Sequence, residues 1–563
     1  MSEVTMNRLK NISSLNTTEF DVCIIGGGAT GAGCALDAAQ RGLKTLLIEK
    51  DDFASGTSSK STKMFHGGVR YLEKAVRTFD REQFRMVYKS LHERHALINN
   101  ARHLAHPIAL LTPCYKFGEG LYYTIGLKIY DLLAGSTNLK SSQWLNKKQS
   151  LEHIPNLKAD KLRSSVLYYD GQFDDIRYTM EVVKTATELG CTVINHISAD
   201  EFCFDGSGKL NQLTVTDLIR NKTSIVTSKV FVNATGTGAD KIRLKANPNL
   251  NKRMRMSKGA HLVLPFDIMP SKTALLIPKT DDGRVIFLLP WNKKILVGTT
   301  DDEMENTDKE STVNATDVKY LLDYTARYLN TNIEPKNVRA GFSGLRPLLQ
   351  AVSGNTKDLV RDHEVEIDEA SGLISIMGGK WTTFRIMAKD TIDAVEQYLQ
   401  RLITPCKTQG LVLVGGRDYD PAAHNQLVLK YKIPEFIAKR LNQRYGASAS
   451  KILELTVSDP SLRRSIVAGS PVLCAEVVYN IIYEMGVTLR DVIARRLGLE
   501  FTSWKYAYQS SYAVANIMQD IMRFSSEEKK GMVNEYQQLL DSWNKEAFGV
   551  SINATKESET VEI

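Results

Sequence analysis

Residues 21–28, DVCIIGGG, run an apolar stretch directly into three glycines, and the small-residue segment ATGAGCALDAAQRG follows. Alternating constraints of this kind leave one economical reading: a buried strand, a tight turn and a helix that packs close to the strand. Gly26, Gly28 and Gly31 then form G-x-G-x-x-G in its proper context. Gly26 permits the turn, Gly28 lets a pyrophosphate approach the backbone, and Gly31 lets helix and strand pack closely, with the helix N-terminus facing the phosphates. Gly42 closes the helix, and KTLLIEK (44–50) reads as a second strand that ends at Glu49, where a carboxylate can take both ribose hydroxyls.

A simple NAD domain would continue with another βα unit after Glu49. Here the polar loop DDFASGTSSKSTKMFHGG follows, with Thr57, Ser58 and Ser59 as hydroxyl donors and Gly67-Gly68 as a point of close approach. Far along the chain, VNATG (232–236) ends a strand on Ala234 and Gly236, and GGKWTTF offers a second backbone cradle at Gly379. A nucleotide contacted from three such segments is extended, and FAD is the cofactor expected.

At 563 residues the chain is too long for one core, and its composition, 43% hydrophobic and 24% charged, is that of a globular protein. A Rossmann-type FAD-binding domain is expected over 19–399, after a polar leader at 1–18. A mixed-sheet substrate domain is interleaved with it at roughly 91–190 and 260–345. From 400 the patterning turns helical. Ser525 and Glu528 form a capping-box signature ahead of Met532, Tyr536, Leu539, Leu540 and Trp543. A helical domain is therefore expected over 400–548, with a disordered tail at 549–563.

The net charge of +8 suits an acidic substrate or an anionic membrane surface and gives no case for nucleic acid. Seven cysteines stand singly, with no C-x-x-C pair, so neither a disulfide framework nor a metal site is expected. The first twenty residues lack the apolar core of a secretory signal, and no apolar run reaches the length of a membrane span.

The segment DVCIIGGGATGAGCALDAAQRGLKTLLIEKDDFASGTSSKSTKMFHGGVRYLEKA resembles the FAD-dependent glycerol-3-phosphate dehydrogenases, in their mitochondrial-type branch. The likeness recurs at KIYDLLAG, LYYDGQFDD, DGRVIFLLPW, GTTD, FSGLRPL and GLISIMGGKWTTFR. It covers roughly residues 20 to 545. ATGTGAD replaces the family's usual ATGPFTD-like loop, so the turn after Gly236 is expected to differ. No EF-hand pattern is present, so no calcium regulation is expected.

The resemblance implies oxidation of sn-glycerol 3-phosphate to dihydroxyacetone phosphate, with hydride passing from C2 to flavin N5 and electrons going on to a membrane quinone. Arg70, Arg346, Arg361 and Lys380 match the family's cationic cluster and are expected to hold the phosphate. His261, at the start of the apolar run HLVLP, is expected to accept the C2 hydroxyl proton. His66 is expected to support the loop and cofactor, and it is the other candidate for the base. Asp170 and Gln172 in YYDGQFDD fit either the active-site approach or a turn and receive no role.

The helical stretch at 120–135 places Leu121, Tyr122, Ile125, Ile129 and Leu132 along one side, which suits either an interfacial helix or a core one. Peripheral attachment is expected, at the cytoplasmic face of a bacterial inner membrane or, alternatively, at the mitochondrial inner membrane. A homodimer is allowed. Rival readings are an oxidase that uses oxygen, an amine or amino-acid oxidase, and a non-catalytic FAD-stabilised membrane adaptor.

Overall fold

A computed structural model describes residues 7–304, 309–350 and 363–552. Two sheets organise the first four hundred residues. In the first, Thr192–Ile194, Thr45–Ile48, Glu19–Ile25, Lys222–Asn233 and Ile374–Gly378 lie side by side in parallel, and His363–Ile367 closes one edge antiparallel. The strands Ile197–Phe204 and Leu210–Asp217 continue from Lys222–Asn233 as an antiparallel meander. In Glu19–Ile25 the run from Val22 to Ile25 is apolar and buried throughout, as a strand covered on both faces must be.

The helix Ala29–Gln40 shows why its residues are small. It packs against the helices Phe384–Tyr398 and Asp175–Glu188. A Cβ on Gly33 would come within 2.8 Å of the Phe384 ring. Larger side chains at Ala32, Gly33 or Ala35 would force these layers apart.

The second sheet is mixed. Met254–Pro265 pairs with Ala340–Leu349, Lys294–Gly298 and Asp302–Met304. The sheet continues through Ile286–Trp291, Ala274–Ile277, Ala105–Cys114 and Ser164–Phe173 to the short strand Met64–Phe65. That last pairing, Met64 with Gln172 and Phe65 with Gly171, carries the chain from the glycine-rich domain onto the second sheet. Beyond residue 400 the described residues form helices and turns without a strand, ending in Trp504–Met522 and Ser526–Phe548. The expected capping box at Ser525 and Glu528 is formed, and Val533, Tyr536, Leu540, Trp543 and Ala547 are the buried face.

Buried ion pairs join the helical part to the first sheet. Asp52 accepts from Arg495 at 2.6 Å and also from Arg496, and Arg177 meets Glu484 at 2.5 Å. Within the leader, Arg8–Ser14 form a helix whose Arg8 pairs with Asp217 at 2.5 Å. The segment from residue 553 onward, most of the expected tail, lies outside the described residues.

Candidate active site

Gly26 has φ +112°, and a Cβ there would stand 2.6 Å from the Ala234 carbonyl oxygen. Only glycine permits both. A Cβ on Gly31 would strike the Gly26 carbonyl, so the helix can sit directly on the turn. Gly28 caps this helix without a side chain. Glu49 receives the Gly27 N–H at 2.6 Å and the Asp51 N–H at 2.9 Å, one on each oxygen. The protein around it pushes its pKa up to about 7, against the pull of those two hydrogen bonds. A close-approach turn, a helix N-terminus and a fixed carboxylate fit the diphosphate and ribose of FAD. Gly236, at φ +56°, opens the short turn after Ala234.

The loop from Thr57 to Lys63 gives its three candidate hydroxyls different jobs. Ser58 Oγ accepts the Ala29 N–H at 2.8 Å, which places it at the helix N-terminus. Thr57 instead donates to the Leu345 carbonyl at 2.6 Å, and Ser59 turns back to the Gly56 carbonyl at 3.2 Å. Trp381, from GGKWTTF, donates to the Ser58 carbonyl at 3.0 Å, so the distant cradle meets this loop directly. Gly379 has φ +80°, and a Cβ there would strike the Met387 sulfur. Lys63 is fully buried, donating to the Ser59 carbonyl at 2.6 Å and pairing with Asp175 at 2.5 Å.

His66 and Gly67-Gly68 follow the short strand. A Cβ on Gly67 would lie 2.5 Å from Leu91 and 2.6 Å from the Tyr130 oxygen, while Gly68 has φ +88° and caps the helix Val69–Thr78. Arg70 lies in the first turn of that helix. His66 is half-buried; burial and the nearby Lys380 ammonium push its pKa down to about 4. The Lys380 ammonium itself rests 3.8 Å from the centre of the Tyr71 ring.

Asp170, which the sequence left without a role, is fully buried behind this turn. It pairs with Arg94 at 2.7 Å and accepts from the Tyr130 hydroxyl, whose oxygen takes the Gly67 N–H at 2.7 Å. Gln172 donates to the Pro290 carbonyl at 2.8 Å. The sequence hid this network because Asp-Gly reads as a turn, whereas here it crosses the middle of a paired strand.

His261 sits in the strand Met254–Pro265 and is only 2% exposed. Its Nε2 shares a hydrogen bond with Thr62 Oγ1 at 2.9 Å, and the ring stacks on Phe342 at 4.9 Å. Burial, with the Arg346 and Lys63 charges behind it, holds its pKa well below the ordinary histidine value. Arg346 lies on the adjoining strand and extends over the turn at 299–301. Thus the structure gathers His66 with Lys380, and His261 with Arg346. Arg361 lies outside the described residues.

Among the described residues Asp52, His196 and Asp491 come within metal-ligand reach of one another. Arg495 and Arg496 already supply positive charge to Asp52, and Asp491 accepts from His196 at 2.8 Å and Arg495 at 2.9 Å. The cluster is an ion-pair network joining the two parts of the chain. No helix among the described residues is long and apolar enough to cross a membrane.

Comparison with known proteins places this geometry. Residues 21–394 match the FAD dependent oxidoreductase family, and residues 406–529 match the C-terminal domain of alpha-glycerophosphate oxidase. The mitochondrial glycerol-3-phosphate dehydrogenase of Mus musculus is 40% identical over 515 residues, covering 89% of this chain and 70% of that protein. The corresponding Arabidopsis thaliana protein is 35% identical, with 94% and 87% covered. The solved structure of the Bacillus halodurans glycerol-3-phosphate dehydrogenase, complexed with FAD, superposes with a TM-score of 0.78 at 28% identity, covering 98% of this chain and 99% of that one. The chain belongs to the FAD-dependent oxidoreductase family, in its glycerol-3-phosphate dehydrogenase branch.

Proposed function

We propose that this protein oxidises sn-glycerol 3-phosphate to dihydroxyacetone phosphate and delivers the electrons to a membrane quinone. The observation that carries the chemistry is a cation near each histidine: burial first, and then Lys380 near His66 and Arg346 near His261, keep both imidazoles neutral. A phosphorylated alcohol needs this combination, an anion anchor beside an imidazole kept neutral to take a proton. Arg346 and Lys380, with Arg70 and Arg361 as further candidates, hold the phosphate. Arginine offers a fork of donors and lysine a point charge. FAD, when bound, supplies the hydride acceptor.

The two histidines differ in reach. A base must touch the substrate hydroxyl, and the His261 ring presents almost no surface. His66 is partly open and stands on the turn beside the cofactor loop. His66 is therefore assigned the C2 hydroxyl proton, and His261 the task of fixing Thr62 and the loop that bears it. This exchanges the roles expected from the sequence.

Exposed apolar residues support a peripheral membrane site. Phe79 is 86% exposed, Phe117 92% and Leu132 80%, with Leu121 and Ile125 beside them on the helix Glu119–Ala134. Ile129 instead packs against the core. Exposed Arg77 and Lys128 at the margin suit anionic headgroups. The mitochondrial names of the curated relatives favour the mitochondrial membrane over the bacterial one.

The test is a set of three variants. Arg346→Ala should raise KM for glycerol 3-phosphate roughly ten- to a hundred-fold, the loss of a charge-assisted hydrogen bond, while hardly affecting unphosphorylated glycerol. His66→Asn should slow flavin reduction with substrate still bound, and His261→Asn should do so less. Equal penalties on glycerol and its phosphate would place the clamp elsewhere, and normal reduction in His66→Asn would return the base to His261.

A further inference from the structure

The turn Gly298-Thr299-Thr300-Asp301 is built around Arg346. Asp301 Oδ1 accepts from Arg346 Nη1 at 2.7 Å, and Thr299 Oγ1 accepts from Nη2 at 3.2 Å. The Thr300 carbonyl stands 3.4 Å from the same Nη2, and Thr300 Oγ1 locks the turn to the Ala260 N–H at 2.9 Å. Ser257, opposite Arg346 in the strand register, donates its hydroxyl to the same Asp301 oxygen. The guanidinium lies over Gly259, where a Cβ would come within 2.7 Å of Nη2. A Cβ on Gly298 would strike the His261 ring. One four-residue turn therefore sets both the arginine and the buried histidine.

Within this turn Asp301 has two opposing effects. Its oxygen fixes the arginine's orientation, but its charge competes for the guanidinium with any anion. Both side chains remain open to solvent, Arg346 by 36% and Asp301 by 46%, so an incoming anion meets them together. We propose that Asp301 is a positioning residue that tunes the affinity of the phosphate clamp. It holds Arg346 in place and keeps binding of the phosphate dianion weak enough for the phosphorylated product to leave. This rests on Arg346 as a phosphate anchor, and it adds a residue that the sequence assigned no role.

Asp301→Asn keeps an oxygen acceptor of the same size and removes only the charge. The FAD-loaded protein should then bind inorganic phosphate about three- to ten-fold more tightly, both as a competitive inhibitor and by calorimetric titration, because one repelling charge at the clamp is gone. KM for glycerol 3-phosphate should fall with it, while unphosphorylated glycerol should respond as in the unmodified protein. Asp301→Glu, which restores the charge, should return phosphate affinity toward the original value, and Asp301→Ser serves as a second neutral replacement should the asparagine variant fold poorly. Unchanged or weaker phosphate binding in the neutral variants overturns the proposal. Arg346→Ala separates the two claims. If it leaves phosphate binding intact, the clamp reading falls. If it weakens phosphate binding while Asp301→Asn does not tighten it, only the role of Asp301 falls.

Discussion

The Tyr130 hydroxyl donates to the Asp170 carboxylate at 3.0 Å, and the same oxygen accepts the Gly67 N–H. The turn carrying His66 is thereby tied to a buried ion pair on the second sheet. Tyr130→Phe would leave the Gly67 N–H without its acceptor and Asp170 without one donor. The expected loss is about 1–3 kcal/mol of stability. Flavin reduction should slow more than substrate binding weakens, because the displaced group is the proposed base. Thermal unfolding and single-turnover kinetics on the same preparation check both.

Glu49 leads to a prediction about pH. Ribose hydroxyls donate to the ionised carboxylate, so FAD binding competes with its proton. With the pKa at about 7, FAD affinity should weaken as pH falls through neutrality. Glu49→Gln should bind FAD roughly ten-fold or more weakly, since its amide must turn an N–H toward one of the two backbone donors. It should also lose this pH dependence. Fluorescence of released FAD across pH measures both effects.

Much of this site was readable because it is local. The glycine turn, its helix and Glu49 lie within twenty-five residues and are governed by backbone sterics alone. Thr57, Ser58 and Ser59 were indistinguishable in sequence, because Leu345 and the helix N-terminus decide which way each hydroxyl faces. Asp170 looked like a turn residue because its partner Arg94 lies 76 positions away on a helix. His261 read as the start of an apolar strand, whereas the strand begins seven residues earlier, at Met254, and the ring is enclosed. Arg346 was marked by its motif, but the GTTD turn that holds it lay in a different segment with no periodic signal linking the two.

For the membrane surface, Ile125→Asp combined with Leu132→Asp should lower binding to anionic liposomes about ten-fold or more, given roughly 1.5–3 kcal/mol for each apolar side chain withdrawn from water. FAD content should stay normal. Ile129→Asp should behave differently, destabilising the fold because that side chain packs on the core. Liposome sedimentation with both variants distinguishes an interfacial helix from an internal one.

His103 is 2% exposed, and burial pushes its pKa down to about 4. The unfolded chain binds this proton near pH 6.5, so between about pH 6.5 and 4 the unfolded state carries more protons and stability rises with pH. His103→Gln should flatten that slope by up to about 2 kcal/mol at pH 5. Denaturant unfolding of both proteins across this range isolates the difference, since every other titrating group is shared.

The most direct test mixes the FAD-loaded protein with sn-glycerol 3-phosphate in the absence of oxygen. The yellow flavin absorbance should bleach saturably, and dihydroxyacetone phosphate should form in equal amount. Glycerol should leave the flavin almost unreduced, and a soluble quinone should restore the colour faster than air. A flavin that stays oxidised with glycerol 3-phosphate but is reduced by an amine or amino acid would contradict it.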